Sequence, residues 1–408
     1  MITTPDTATD TPSTSINQSY SNNPRPLMPV ANRPAPVMVR GEGSYLWDNN
    51  GKRYLDLIQG WAVNALGHCP PQMVNALVQQ SGKLITPSPA LHNAPQLALA
   101  SRLTELSGLD LVHFSNSGSE ANEVAIKLAR KWGQVHRSGG CEIITTHNSF
   151  HGRTLAAMAA TGKPGWDDKF KPTMPGFKKV PCGDINAMHN AVDSRTLAVM
   201  VEPIQGEAGV IVPPADYLQQ LRDLTTQHGV LLILDEVQTG VGRLGSFFAF
   251  EQNRIQPDIV TLGKGLGGGV PVSATLSTAH ACCFENGDQG GTFNGNPLMT
   301  AVALAVIDTV AKPHFLDPVV RAGERIETAL TQIQGVSRVT DVRGCGLLRA
   351  IELGSANASQ VQQRAMELGL LINAPRPGTI RLMPALNITD NEIDDAMALL
   401  LQAIDETT

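Results

Sequence analysis

Lys264 and Asp235 are the two residues of this chain whose types and settings point most directly to shared chemistry. Lys264 follows the apolar run Ile259-Val-Thr-Leu262 and sits within a glycine-rich stretch, Gly263-Lys-Gly-Leu-Gly-Gly-Gly269. Asp235 ends a second apolar run, Val230–Leu234, 29 residues upstream. That spacing leaves room for a crossover and a return strand in a parallel sheet. A lysine at a strand end, flanked by glycine, can condense with an aldehyde. A carboxylate at a neighbouring strand end can hold a heteroaromatic nitrogen protonated. Taken singly, such a lysine is usually solvated and such an aspartate usually caps a helix.

Other motifs strengthen the pair. Ser115-Asn-Ser-Gly-Ser-Glu-Ala-Asn-Glu123 joins an apolar strand to a helical pattern. Ser117, Gly118 and Ser119 there offer hydroxyls and amides at a helix start, an arrangement that binds phosphate. In Ser149-Phe-His-Gly-Arg-Thr154, Phe150 can stack on a flat ring and Arg153 can fork onto a carboxylate. Glu207, in Glu202-Pro-Ile-Gln-Gly-Glu207, has Arg381 as its candidate partner. Lysine, ring-facing carboxylate, phosphate cradle and stacking aromatic together match what pyridoxal 5'-phosphate requires of a protein. Gly263, Gly265 and Gly268 also fit a G-x-G-x-x-G dinucleotide motif. That motif needs a helix to open there, and Gly267-Gly-Gly-Val-Pro271 is a poor helix start.

Composition narrows the class. The net charge of −6 gives no electrostatic footprint for nucleic acid. No apolar run approaches a membrane span. The six cysteines have no C-x-x-C spacing and suit a reducing compartment, so a cytoplasmic enzyme is expected. The histidines form no metal-ligand pattern, and no metal is expected. The first 26 residues are rich in Thr, Ser, Asn and Pro, lack a secretory or transit pattern, and read as a disordered tail.

The elements that must position these residues follow from periodicity. Tyr45–Leu57 reads as a hairpin turning at Asn50-Gly51. From about 70 to 310, short apolar strands (111–114, 142–146, 197–201, 230–234, 259–262, 273–276) alternate with helices, including 120–132, 217–228 and 298–310. The pattern predicts an α/β domain with a mostly parallel sheet covered by helices on both faces. Beyond Lys312-Pro313, helices near 319–333, 360–368 and 390–404 and strands near 336–342 and 347–351 predict a smaller α+β domain. The expected partition is a tail (1–26), an N-terminal segment packing with the small domain (27–69), a large domain (70–310) and a small C-terminal domain (311–408).

Six ordered stretches carry a resemblance to the class III pyridoxal-phosphate aminotransferases of fold type I. They are Asn116–Glu123, Phe150–Thr154, Glu202–Glu207, Asp235-Glu-Val-Gln-Thr-Gly-Val-Gly-Arg243, Leu262–Gly269 and Gly291-Thr-Phe-Asn-Gly-Asn-Pro297. Within the family the chain looks most similar to the acetylornithine aminotransferases of bacterial arginine biosynthesis, especially through Gly60–His68 and Glu202–Val210. The resemblance implies a seven-stranded sheet and transfer of the terminal amine of N2-acetylornithine to 2-oxoglutarate. It implies that Lys264 bonds the cofactor and shuttles the proton, and that Asp235 pairs with the ring nitrogen. Gln238 would reach the cofactor's phenolic oxygen, Ser117, Gly118 and Ser119 its phosphate, and Phe150 its ring face. Arg153 would take the acetylornithine α-carboxylate, Arg381 that of glutamate, and Glu207 would neutralise Arg381 in the first case. Thr292 would reach the phosphate of a neighbouring subunit, which implies a homodimer with shared sites.

The chain departs from the family in two places. Asn294 stands where glycine is commonest. Ornithine aminotransferases carry tyrosines near Asn32 and Gly60, and their absence leaves room for an acyl group. Succinylornithine, ornithine and 4-aminobutyrate aminotransferases, or dual use on N-succinyl-diaminopimelate, are the neighbouring alternatives. A nucleotide-dependent oxidoreductase and a homologue without turnover are the more distant ones.

Overall fold

A computed structural model describes residues 27–355 and 357–407. The expected N-terminal tail lies outside the described residues. The chain opens with an antiparallel meander, β1 (Met38–Glu42), β2 (Tyr45–Asp48) and β3 (Arg53–Asp56). Its second turn is the expected one. Gly51 takes φ +80°, and Asp48 Oδ1 accepts the amides of Asn50 (2.9 Å) and Lys52 (3.0 Å). Helices α1 (Pro71–Ser81) and α2 (Ala94–Ser107) follow, each with proline in its first turn.

A seven-stranded sheet forms the centre. It is built from β4 (Leu111–Ser115), β5 (Glu142–Thr146), β6 (Phe177–Val180), β7 (Thr196–Val201), β8 (Leu231–Asp235), β9 (Ile259–Leu262) and β10 (Ser273–Ser277). The order is β4-β10-β9-β8-β7-β5-β6, and only β10 runs against its neighbours. Strands β7, β8 and β9 are buried at every residue, as helices on both faces require. Helix α3 (Gly118–His136) buries the expected side, Ala121, Val124, Ala125, Leu128 and Trp132. Helices α4 (Leu155–Ala160), α5 (Ile185–Ala191), α6 (Tyr217–His228) and α7 (Pro297–Val310) complete the large layer.

The sequence pattern did not distinguish β6 as a strand, because Phe-Lys-Lys-Val lacks an apolar run. It is an edge strand, and its lysines pair outward: Lys178 with Glu142 (2.6 Å) and Lys179 with Asp167 (2.8 Å).

After α8 (Leu316–Val336), β11 (Val339–Cys345) and β12 (Leu348–Leu353) form a hairpin, followed by α9 (Ala358–Leu368). The two-residue β13 (Leu370–Leu371) pairs with β3, so the N-terminal meander shares a sheet with the C-terminal region. Strands β14 (Asn373–Arg376) and β15 (Thr379–Leu382) extend the antiparallel sheet β11-β12-β15-β14, and α10 (Asp390–Asp405) closes the chain. Among the described residues no helix is long and apolar enough to cross a membrane, and no cluster of metal-ligating side chains occurs.

Candidate active site

The parallel strands of the large sheet end on one side, and the loops leaving β4, β5, β7, β8 and β9 meet there. Two glycines allow the approach. A Cβ on Gly118 would sit 2.6 Å from Val237 Cγ1, and one on Gly263 would meet both Val237 (3.2 Å) and Gly118 Cα (3.3 Å). The loops enclose a cavity of ≈180 Å³ lined by Ser117, Gly118, Ser119, Phe150, Glu207, Asp235, Gln238 and Lys264. All eight were singled out from the sequence. The G-x-G-x-x-G stretch forms only a three-residue turn of 3-10 helix, Lys264–Leu266, so no dinucleotide-type helix opens there.

Lys264 stands at φ +42°, a conformation unusual for a residue with a side chain. Burial pushes its amine pKa down, toward the neutral, nucleophilic form, while Glu207 works against that shift. Asp235 is the last residue of β8 and is buried. Its Oδ2 accepts from Asn122 Nδ2 and His151 Nδ1, each at 2.8 Å, and its Oδ1 accepts the Val237 amide at 3.1 Å. Asn122 Oδ1 accepts in turn from Thr261 Oγ1 at 2.8 Å. This network fixes the carboxylate's orientation.

The N-terminus of α3 faces the cavity through a capping box. The Glu120 amide donates to Ser117 Oγ (3.3 Å), and the Glu120 carboxylate accepts the Ser117 amide (2.9 Å). The Phe150 amide donates to Glu202 Oε2 at 2.9 Å. Burial, opposed by His151, pushes the Glu202 carboxyl up to about 7. Arg381, in the middle of β15, is fully buried. It forms an ion pair with Glu207 Oε1 at 2.8 Å, and its Nε and Nη1 donate to Asn373 Oδ1 (3.0 Å) and Gln238 Oε1 (3.4 Å). Burial works to raise the Glu207 carboxyl, but Arg381 and Lys264 outweigh it and hold it below its usual range.

Arg153, Thr292 and Arg381 lie outside this lining, Arg381 adjoining it through Glu207 and Gln238. Arg153 is exposed, with its guanidinium 5.5 Å from the centre of the Trp166 ring and its amide donating to Ser119 Oγ. Thr292 is exposed on the loop before α7. Asn294, the departure from the family pattern, folds its side chain between Asn116 Nδ2 (2.9 Å) and His113 Nε2 (3.3 Å). Asn32 lines a separate groove with residues of α9. Gly60 belongs to a left-handed turn, Gln59–Ala62, that abuts the glycine after Lys264.

Asn122, His151 and Glu202 also line the cavity, although their motifs alone assign them no role. A polar Asn122 beside the apolar side of α3 was the available signal; the burial of His151 and Glu202 had none. The assembled donor set fits a phosphate-bearing aromatic aldehyde. The N-terminus of a 19-residue helix, Phe150, Asp235 and the Lys264 amine all line the one cavity.

Comparison with known proteins agrees. Residues 28–404 match the aminotransferase class-III family. The chain is 52% identical to the acetylornithine aminotransferase of Ralstonia nicotianae over 381 residues, 92% of this chain and 96% of that protein. It is 50% identical to acetylornithine aminotransferase 2 of Bordetella bronchiseptica over 382 residues, 93% and 96% of the two chains. Among solved structures, the ornithine aminotransferase of Toxoplasma gondii superposes with a TM-score of 0.89 at 32% identity, covering 96% of this chain and 94% of that one. N-acetylornithine aminotransferase of Stenotrophomonas maltophilia gives 0.81 at 35% identity, covering 96% and 98%. With six motifs, sheet order and site all in agreement, the chain belongs to the class III aminotransferases, pyridoxal-phosphate enzymes of fold type I.

Proposed function

We propose that this enzyme is an acetylornithine aminotransferase, moving the terminal amine of N2-acetylornithine to 2-oxoglutarate and giving N-acetylglutamate 5-semialdehyde and glutamate. The observation that carries the terminal-amine part of this reading is the fully buried Arg381 held by Glu207 at 2.8 Å beside the Lys264 cavity. An enzyme acting only on α-amino acids gains nothing from a carboxylate covering its deep arginine. One that alternates between a terminal amine and an α-amino acid needs that cover in the first case and must release it in the second. The similarity to acetylornithine aminotransferases at about half identity supports the same reading.

Bound pyridoxal phosphate supplies the electrophilic carbonyl carbon and the electron sink. The residues divide the remaining work. Lys264 Nζ would be the base that takes the proton from the substrate carbon bearing the amine, and its conjugate acid would return one. Asp235, oriented by Asn122 and His151, would hold the ring nitrogen. Gln238 would reach the phenolic oxygen, Phe150 would lie on the ring, and Ser117, Gly118 and Ser119 would hold the phosphate. Arg153, at the exposed rim, suits the α-carboxylate of acetylornithine, which lies a whole side chain from the reacting amine. Arg381, deep and beside Gln238, suits the glutamate carboxylate next to the reacting carbon.

The proposed enzyme is a homodimer in which Thr292, exposed in the single chain, reaches the neighbouring subunit's phosphate. The same reading keeps the partition into N-terminal segment, large domain and small domain at about residues 70 and 310, and a cytoplasmic enzyme. The test is a panel of kcat/KM values with 2-oxoglutarate as acceptor. Acetylornithine should exceed ornithine and 4-aminobutyrate at least tenfold; equal use of either would overturn the acyl assignment, and succinylornithine measures how loosely the acyl end is held.

A further inference from the structure

Both members of the Glu207–Arg381 pair are braced from the small antiparallel sheet, and Arg343 is the centre of the brace. Arg343 lies on β11. Its Nε donates to Gly209 O at 2.9 Å, two residues beyond Glu207. Its Nη2 pairs with Glu352 Oε2 at 2.8 Å, and the same oxygen accepts from Thr379 Oγ1 at 2.8 Å. Thr379 faces Glu352 across the β12–β15 register and stands two residues before Arg381. One guanidinium therefore touches the loop bearing Glu207 directly, and the strand bearing Arg381 through Glu352.

The loop needs such a restraint. The amides of Gly209 and Val210 both turn back to Gly206 O, at 3.2 and 3.3 Å. Val210 is held at φ +59°, a left-handed conformation unfavourable for a β-branched residue. Gly209 stands at φ +94°, and a Cβ there would meet Thr379 at 3.2 Å. The tight turn lets Gly209 O reach Arg343.

We propose that Arg343 is a positioning residue for substrate choice. It holds the Glu207 loop where Glu207 meets Arg381, and so keeps Arg381 covered while the terminal-amine substrate reacts. This rests on reading the Glu207–Arg381 pair as a gate. Removing the guanidinium frees Gly209 O and takes away the loop's hydrogen bond to β11, leaving its own turn, the Gln205 side chain on Thr146 and His147 O, and the buried Ala208 and Val210 to hold it. Glu207 keeps its carboxylate but meets Arg381 less often. The effect is a weaker form of deleting Glu207, in the same direction.

The test uses holoenzyme and four variants: Arg343→Met, which keeps an apolar stem without donors, Asp341→Asn, Glu207→Ala and the double variant Glu207→Ala/Arg343→Met. Asp341 also pairs with Arg343, at 2.7 Å, but is more than half exposed. Single-turnover rates are measured with acetylornithine and with glutamate, together with equilibrium binding of glutarate, an unreactive dicarboxylate. Arg343→Met should lower the acetylornithine rate relative to the glutamate rate about threefold to fivefold and tighten glutarate binding by a similar factor. Asp341→Asn should leave both unchanged. The double variant should shift the ratio no further than Glu207→Ala alone, because nothing is left to position. Equal slowing of both half-reactions by Arg343→Met, or an equal shift from Asp341→Asn, would overturn the proposal. An unchanged ratio in Glu207→Ala would sink the gate and the brace with it. A shift in Glu207→Ala without one in Arg343→Met would sink the brace alone.

Discussion

Deleting the Glu207 carboxylate should divide the two half-reactions of this enzyme. In Glu207→Ala, Arg381 keeps its guanidinium in a fully buried position with two neutral acceptors, Asn373 Oδ1 and Gln238 Oε1. Breaking a buried ion pair from one side costs roughly 3–5 kcal/mol. Glu207 is 28% exposed, and water can partly replace it, so a discounted loss of about 1.4–2 kcal/mol is expected. That loss falls on the acetylornithine half-reaction, in which nothing else covers Arg381. Glutamate brings its own carboxylate and is spared. The ratio of single-turnover rates should therefore move about ten- to thirtyfold toward glutamate. Glu207 also raises the Lys264 amine pKa, but that influence is common to both half-reactions and cancels in the ratio. Stopped-flow absorbance with each amino donor reads the two rates. An equal loss with both donors would show that Glu207 does not gate Arg381.

Lys264→Ala should abolish multiple turnover, by several orders of magnitude, while cofactor still co-elutes with the folded protein; near-wild-type kcat would refute the site. Mixing Lys264→Ala with Thr292→Ala should restore activity above either parent once subunits exchange, because a hybrid dimer with shared sites carries one intact site. Exchange without recovery would contradict the cross-subunit role of Thr292. Burial pushes the Glu236 carboxyl up to about 8 from an ordinary 4.5, against the amides of Ala249 and Phe250 that it accepts. The folded state then holds a proton that the unfolded state releases, so stability falls as pH rises from about 4.5 to 8, by at most ~1.4 kcal/mol per pH unit. Glu202 adds to that fall only up to about pH 7. Glu236→Gln should flatten the decline in unfolding free energy between pH 7 and 8; a slope as steep as wild type would contradict this.

Much of this molecule was legible in its sequence because the informative residues sit at the ends of apolar runs. Strands 142–146 and 259–262 and helix 217–228 have the bounds their periodicity predicts. Strands β8 and β9 pair in parallel, as the spacing of Asp235 and Lys264 leaves room for. What escaped was polar structure in buried places. β15 reads Thr-Ile-Arg-Leu, and a fully buried arginine in a strand breaks the apolar signal that would mark it. Edge strand β6 hid behind its lysines. The Asn122–Asp235–His151 network joins α3, β8 and the loop after β5, and no local pattern encodes a contact across 113 residues. Likewise, Arg343 gives no hint in sequence that it reaches Gly209, 134 residues away.

The most direct test of the central claim is the visible absorption of the holoenzyme during alternate additions of the two substrates. One equivalent of acetylornithine per site, without acceptor, should abolish the band of the lysine-bound cofactor, and 2-oxoglutarate should then restore it. Ornithine should act at least tenfold more slowly. A spectrum unmoved by acetylornithine, or moved as fast by ornithine, would contradict the account.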